Sequence, residues 1–137
     1  MSFENLTKQN EDLRDFIDGV GDILADDVAV VCMPANIAPA PTAAAWSYTV
    51  PFEIRSARTG KVLPINGTIG AAAGDTSSAG TATVSSATPT VYLGRGTVNL
   101  IGDAQAWLNT ETATLTLTYN NLRGGTDTDQ FVVTFSA

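Results

Sequence analysis

Any chemistry in this chain has to start from its carboxylates. Asp127-Thr128-Asp129 places two of them on one loop and Asp103 offers a third, an all-oxygen set that would suit Ca²⁺. Such residues serve equally as turn formers that bond their own backbone. Glu53 and Glu111 are the only glutamates beyond residue 27, so they are the pair a glycosidase would require. Glu53, however, falls on the outward side of a predicted strand and Glu111 in a tight turn. Cys32 is the single cysteine and the chain has no histidine. An intrachain disulfide, a histidine-assisted nucleophile and a His/Cys zinc site are therefore excluded, and Cys32 reads as a small buried hydrophobe. Gly94-Arg95-Gly96-Thr97 and Gly124-Gly125 lack the spacing and following helix of a phosphate cradle, and read as hairpin glycines. No catalytic residue, cofactor or metal ligand is assigned, and the chain is read as a non-enzyme.

The strongest pattern is instead one of contact. Phe3, Leu6, Asn10, Leu13, Ile17, Val20 and Leu24 follow one another at alternating intervals of three and four. That is the 3.5-residue repeat of a coiled-coil seam. With Phe3 at heptad position a, Asn10, Ile17 and Leu24 are also a, and Leu6, Leu13 and Val20 are d. Phe16 and Ile23 at g widen the stripe. Positions b, c and f carry Lys8 and the acids Glu4, Glu11, Asp12, Asp15, Asp18, Asp22 and Asp26, which predicts a wet acidic outer face. Ser2 is a plausible N-cap. Gly19 and Gly21 each cost about 1 kcal/mol in a helix interior, so the helix is expected to stop near Asp18. A helix this short is marginal alone. The nine residues Phe3, Leu6, Asn10, Leu13, Phe16, Ile17, Val20, Ile23 and Leu24 are the expected oligomer or partner interface, the alternative being a helix that folds its stripe back on the chain's own β-domain.

Charge and length bound the rest. The net charge is −7 over 137 residues, and residues 1–27 hold eight acids against Lys8 and Arg14 while the remainder holds six against five. Acidity belongs to the arm, and the scattered arginines of the body give no phosphate-binding surface, so nucleic acid is not an expected partner. No apolar run reaches the roughly 20 residues of a membrane span, and the N-terminus has no signal-peptide pattern, so synthesis in a cytoplasm is expected.

Three segments follow: a helical arm at 1–26, an extended stretch and Pro/Ala linker at 27–45, and a β-domain at 46–137. Pro34, Pro39 and Pro41 among small residues predict a stiff connector. In the body, Trp46, Tyr48, Val50, Phe52 and Ile54 alternate with Ser47, Thr49, Pro51, Glu53 and Arg55, with Pro51 implying an edge or a bulge. Gly70 to Gly80 reads as a loop, Ala104 to Leu108 as a short strand, and Asn120 to Asp129 as a polar loop. Thr112 to Tyr119 is a strand with a threonine outer face, and Gln130 to Phe135 closes the chain. Seven or eight short strands with turns every eight to twelve residues predict an antiparallel immunoglobulin-like β-sandwich, with Trp107 in its core. Few charges on the strands imply little edge protection.

An acidic amphipathic N-terminus (Phe3 to Leu24), a Pro/Ala linker (Pro34 to Pro41) and an Ala/Thr/Gly-rich body from Trp46 to Phe135 together resemble the accessory virion proteins of tailed bacteriophages. These are the decoration, or cement, and head-fibre proteins, several of them with immunoglobulin-like bodies. The resemblance implies a homo-oligomer, trimeric rather than dimeric, bound to the phage major capsid protein on the virion surface. An immunoglobulin-like tail or fibre module that attaches to cell-surface glycans through Trp46, Tyr92 and Tyr119 is the alternative.

Overall fold

The computed structural model describes residues 3–25 and 27–137, with helix side chains from Lys8 onward. Ser2 and the side chains of Phe3 and Leu6 lie outside the described residues. One helix, α1 (Phe3–Leu24), precedes a mainly β body. The strands are β1 (Val28–Cys32), β2 (Trp46–Ser56), β3 (Gly67–Thr68), β4 (Gly70–Asp75), β5 (Ala82–Val84), β6 (Thr90–Val91), β7 (Arg95–Gly102), β8 (Thr112–Asn120) and β9 (Thr126–Thr134). They form a sheet ordered β1-β2-β7-β5, a second ordered β4-β8-β9, and a small β3-β6 pair, with every strand pairing antiparallel.

Alternation decides which residues enter the core. Val50, Phe52 and Ile54 of β2 and Val98 and Leu100 of β7 are buried with Ala113, Leu115 and Leu117 of β8 and Phe131 and Val133 of β9 in one cluster, so the two larger sheets share a single core. Trp107 is fully buried there, as expected. It stands edge-on to Trp46 at 5.2 Å and tilted against Phe135 at 5.4 Å. Room for the indoles comes from glycine, because a methyl group on Gly80 would enter the ring of Trp107 and one on Gly102 the ring of Trp46.

Several segments depart from expectation. Gly70–Asp75 is a strand, not a loop: β4 pairs along β8 from Gly70↔Thr118 to Asp75↔Ala113, and buries Ala71. Ala104 to Leu108 makes only an isolated bridge, Trp107 to Thr42. The polar loop before the last strand is shorter than expected, since β9 begins at Thr126. β2 lies between β1 and β7 although it contains Pro51. Pro51 O accepts from Met33 N at 2.9 Å, just past the last residue of β1. The missing N–H therefore faces the side of β2 where its neighbour gives out, and only a terminal ladder bond is forgone.

Residues 27–45 are extended, and they are bonded to the body. β1 pairs with β2 from Val28↔Ser56 to Cys32↔Phe52. Beyond it, Ile37 bridges Val133 in parallel, Val132 N donates to Asn36 Oδ1, and Ser136 N donates to Pro39 O. The prolines cost this segment little, because it bonds to β9 through the residues between them.

Nor are the sheet edges bare. Val30 N and Cys32 N, on the side of β1 away from β2, donate to Asp127 Oδ2 and Asp129 Oδ2, each at 2.7 Å. On the other flank Ala82 N donates to Asp75 Oδ2 at 2.9 Å and Ala71 N to Ala87 O at 2.9 Å. Carboxylates on one sheet thus cap the edge amides of the other, where an unprotected edge was expected.

Candidate functional site

The helix meets the body with the face expected to be wet. Asp22 is 5% exposed, and its carboxylate accepts from Arg58 Nε at 3.0 Å and Nη2 at 3.3 Å. A hydrogen bond from Ser56 and then the Arg58 guanidinium hold this carboxyl below its ordinary value, against the opposing effect of burial. Asp15, one heptad earlier, accepts from Lys61 Nζ at 3.2 Å. Gly19, between them, lies so close to the β2–β3 connection that a Cβ there would sit 3.2 Å from Pro64 Cδ. Ile23 packs against the core. The helix does not stop near Asp18 but continues through Gly19 and Gly21 to Leu24. The close approach that Gly19 permits and the burial of Asp22 and Ile23 offset the poor helix propensity.

The contacts of Asp15, Gly19 and Asp22 are made by positions c and f, on the side of the helical wheel away from the a/d seam, and Ile23 at g adds one contact beside it. The described part of the seam, from Asn10 to Leu24, consequently faces away from the body. Leu13, Phe16, Ile17 and Leu24 are between 55% and 59% exposed, Val20 is 36% exposed, and Asn10 is exposed. Of the expected interface residues that are described, only Ile23 turns inward. Residues 8–18 are exposed throughout, Asp15 included, so burial of the described helix is confined to its last two turns while Asp15 adds a solvent-exposed ion pair. The result is a row of large apolar side chains left in water on one side of the helix.

The other candidate residues are engaged elsewhere. Glu53 accepts from Arg95 Nε at 2.9 Å and from Arg55 Nε at 2.9 Å, and these two arginines, Arg95 foremost, hold its carboxyl below the usual range. Glu111 accepts from Leu108 N at 2.7 Å, Ser78 N at 2.9 Å and Ser77 Oγ at 3.1 Å. Those bonds, Leu108 first, hold it low as well. Neither carboxyl has the raised pKa of a general acid. Asp127 and Asp129 sit on a strand with their oxygens on backbone amides, and Asp103 Oδ1 accepts from Thr81 N at 2.9 Å. Among the described residues no cluster of three or more acids, cysteines and histidines is arranged to hold a metal. Burial first, and then neighbouring Asp129, push the Cys32 thiol up to about 12.

Of the three aromatic residues considered for glycan contact, Trp46 and Tyr119 pack against the core, and Trp46 also stacks on Tyr48 at 5.5 Å. Tyr92 is 70% exposed. It borders an open depression of about 1070 Å³ on the outer side of β2 and β7, with Met33, Pro51, Leu93 and Arg95. Trp46 pairs with Gly102 while Tyr92 bridges Arg95, so the two rings stand near opposite ends of β7.

Sequence reasoning overlooked two arrangements that had a signal. Asp127 and Asp129, two apart on a strand, share a face, and Asp15 and Asp22, seven apart on a helix, share a position. Comparison with protein-family models, curated proteins and solved structures finds no match to this chain.

Proposed function

We propose that this chain is a structural assembly protein, an accessory component of a bacteriophage virion that docks on the capsid surface through its helical arm. The observation that carries this reading is the orientation of α1, with Leu13, Phe16, Ile17 and Leu24 turned away from the chain's own body. Burying such side chains contributes about 1.5–3 kcal/mol each, which a protein partner would supply. A homotrimer rather than a dimer is what the resemblance to the phage decoration proteins implies for this arm.

For the body, the finer reading is an immunoglobulin-like sandwich. Its support is the strand order: β1-β2-β7-β5 and β4-β8-β9 correspond in sequence order to A-B-E-D and C-F-G of that fold. Two features of antibody domains are lacking, the inter-sheet disulfide and a tryptophan on the third main strand. The glycan-attachment reading retains a single exposed ring, Tyr92, and is the weaker one.

Cosedimentation of the full chain with capsid shells built of the major capsid protein tests the proposal. The parent chain is expected to pellet with the shells and Leu13→Asp to remain in the supernatant, with the thermal transition of the body unchanged because Leu13 makes no core contact. Failure of the parent to bind, or collapse of the body's transition in Leu13→Asp, overturns the reading.

A further inference from the structure

We infer that the seam of α1 is covered by the same seam on further copies of this chain, the helices running parallel. The inference rests on the reading above that the arm is an assembly element, and it assigns the a and d side chains to further copies of the chain, so that the assembled arms rather than a single open seam meet the capsid. Three independent features converge on it.

Charge comes first. Every acid of α1, from Glu4 to Asp22, occupies b, c or f, and the positions that flank a coiled-coil seam are Thr7, Arg14 and Gly21 at e and Gln9, Phe16 and Ile23 at g. A chain carrying a net −7 would ordinarily repel its own copies, yet here no two acids would face each other across the interface. The second feature is the body, which is attached to the face opposite the seam through Asp15, Gly19 and Asp22. In a bundle with a and d inside, that face points outward, so three bodies would radiate from a shared axis without obstructing it.

Direction follows from Asn10. Aligned parallel, each Asn10 amide at position a meets its counterparts and can bond them. An antiparallel alignment sets a positions against d, so Asn10 would face Leu13 or Val20 and a buried amide would have an apolar neighbour, which costs stability. The helix therefore favours one orientation, with all bodies at the same end.

Sedimentation equilibrium of the full chain should give the mass of an oligomer, at least two chains, and Leu13→Asp should reduce it to one chain. Direction is read by cross-linking with oxidised glutathione as the oxidant. Ile17→Cys, at position a, is expected to form an interchain disulfide, whereas Asp18→Cys, on the outer face, is not; the native Cys32 is buried and serves as an internal control. A single-chain mass for the parent, or cross-linking at Asp18→Cys and none at Ile17→Cys, overturns the inference. A monomer that still binds capsid shells removes parallel pairing and leaves the docking proposal standing, whereas an oligomer that binds no shells does the reverse.

Discussion

Removing the carboxylates of Asp127 and Asp129 should unfasten β1 from the second sheet. Each accepts a backbone N–H at 2.7 Å, from Val30 and Cys32 respectively, and β1 has no other neighbour on that side. A hydrogen bond to a charged acceptor contributes about 1.5–3 kcal/mol, and the half-exposed position of both aspartates argues for the lower end. Two such bonds amount to about 3 kcal/mol, a sizeable part of the roughly 5–15 kcal/mol that holds a domain folded. For a chain of this size the double alanine variant should melt about 10 °C below the parent. Asparagine keeps an acceptor oxygen and removes only the charge, so the double asparagine variant should lose about half as much. Urea unfolding monitored by circular dichroism gives the free energies, and amide hydrogen exchange at Val30 and Cys32 locates the loss. A double alanine variant within about 0.5 kcal/mol of the parent, or unchanged protection at those two amides, would refute the argument. Calcium provides a second arm. If the oxygens are occupied by amides, about 10 mM Ca²⁺ leaves the melting temperature alone, and a rise of several degrees would reassign them as ion ligands.

Gly102→Ala drives a methyl group into the Trp46 indole and should destabilise by about 1–3 kcal/mol, checked by thermal melting with tryptophan fluorescence to report the displaced ring. Cys32, buried and with its thiol pushed up to about 12, should react with a thiol-specific disulfide reagent only after unfolding, so labelling in native buffer should be slower by orders of magnitude than in urea. The carboxyls of Asp22, Glu53 and Glu111 are all held below ordinary values of 3.8, 4.5 and 4.5. A lowered folded-state pKa gives stability that is complete above the unfolded value and lost as pH falls through the folded one. With no histidine to titrate, melting temperature should be flat from about pH 5 to 8 and fall below about pH 4, and Glu111→Gln should make that fall shallower.

Parts of this architecture are legible in the chain because a single period carries them. Five large residues at every second position of β2 name both the strand and its buried face, and the three-four spacing of α1 names the side that stays uncovered. β4 is not legible because Gly70-Ala71-Ala72-Ala73-Gly74 has no contrast between large apolar and polar side chains for alternation to act on; its strand state is imposed by pairing with β8. The proline segment reads as a connector because its anchor, Val132, is 96 residues from Asn36, beyond the reach of local pattern. The acidic face of α1 misleads for a related reason. Acid on a helix signals solvent unless a cation is brought to it, and only the tertiary fold brings Arg58 and Lys61 to Asp22 and Asp15. Aspartates two apart near a Gly-Gly turn likewise resemble a loop until β1 is laid beside them.

The ring of Pro51 has an effect that reaches past its own strand. An exposed ladder of amides recruits whatever chain lies nearby, and proteins packed side by side in many copies meet that hazard constantly. Here the exposed stretch of β2 is spoiled for an incoming strand by a residue with no hydrogen to give, and the rim of β1 is sealed by two negative charges that would also repel an intruder. With these two stretches made poor templates for a further strand, the greasy stripe of the helix is left as an exposed apolar surface with which backbone pairing competes little.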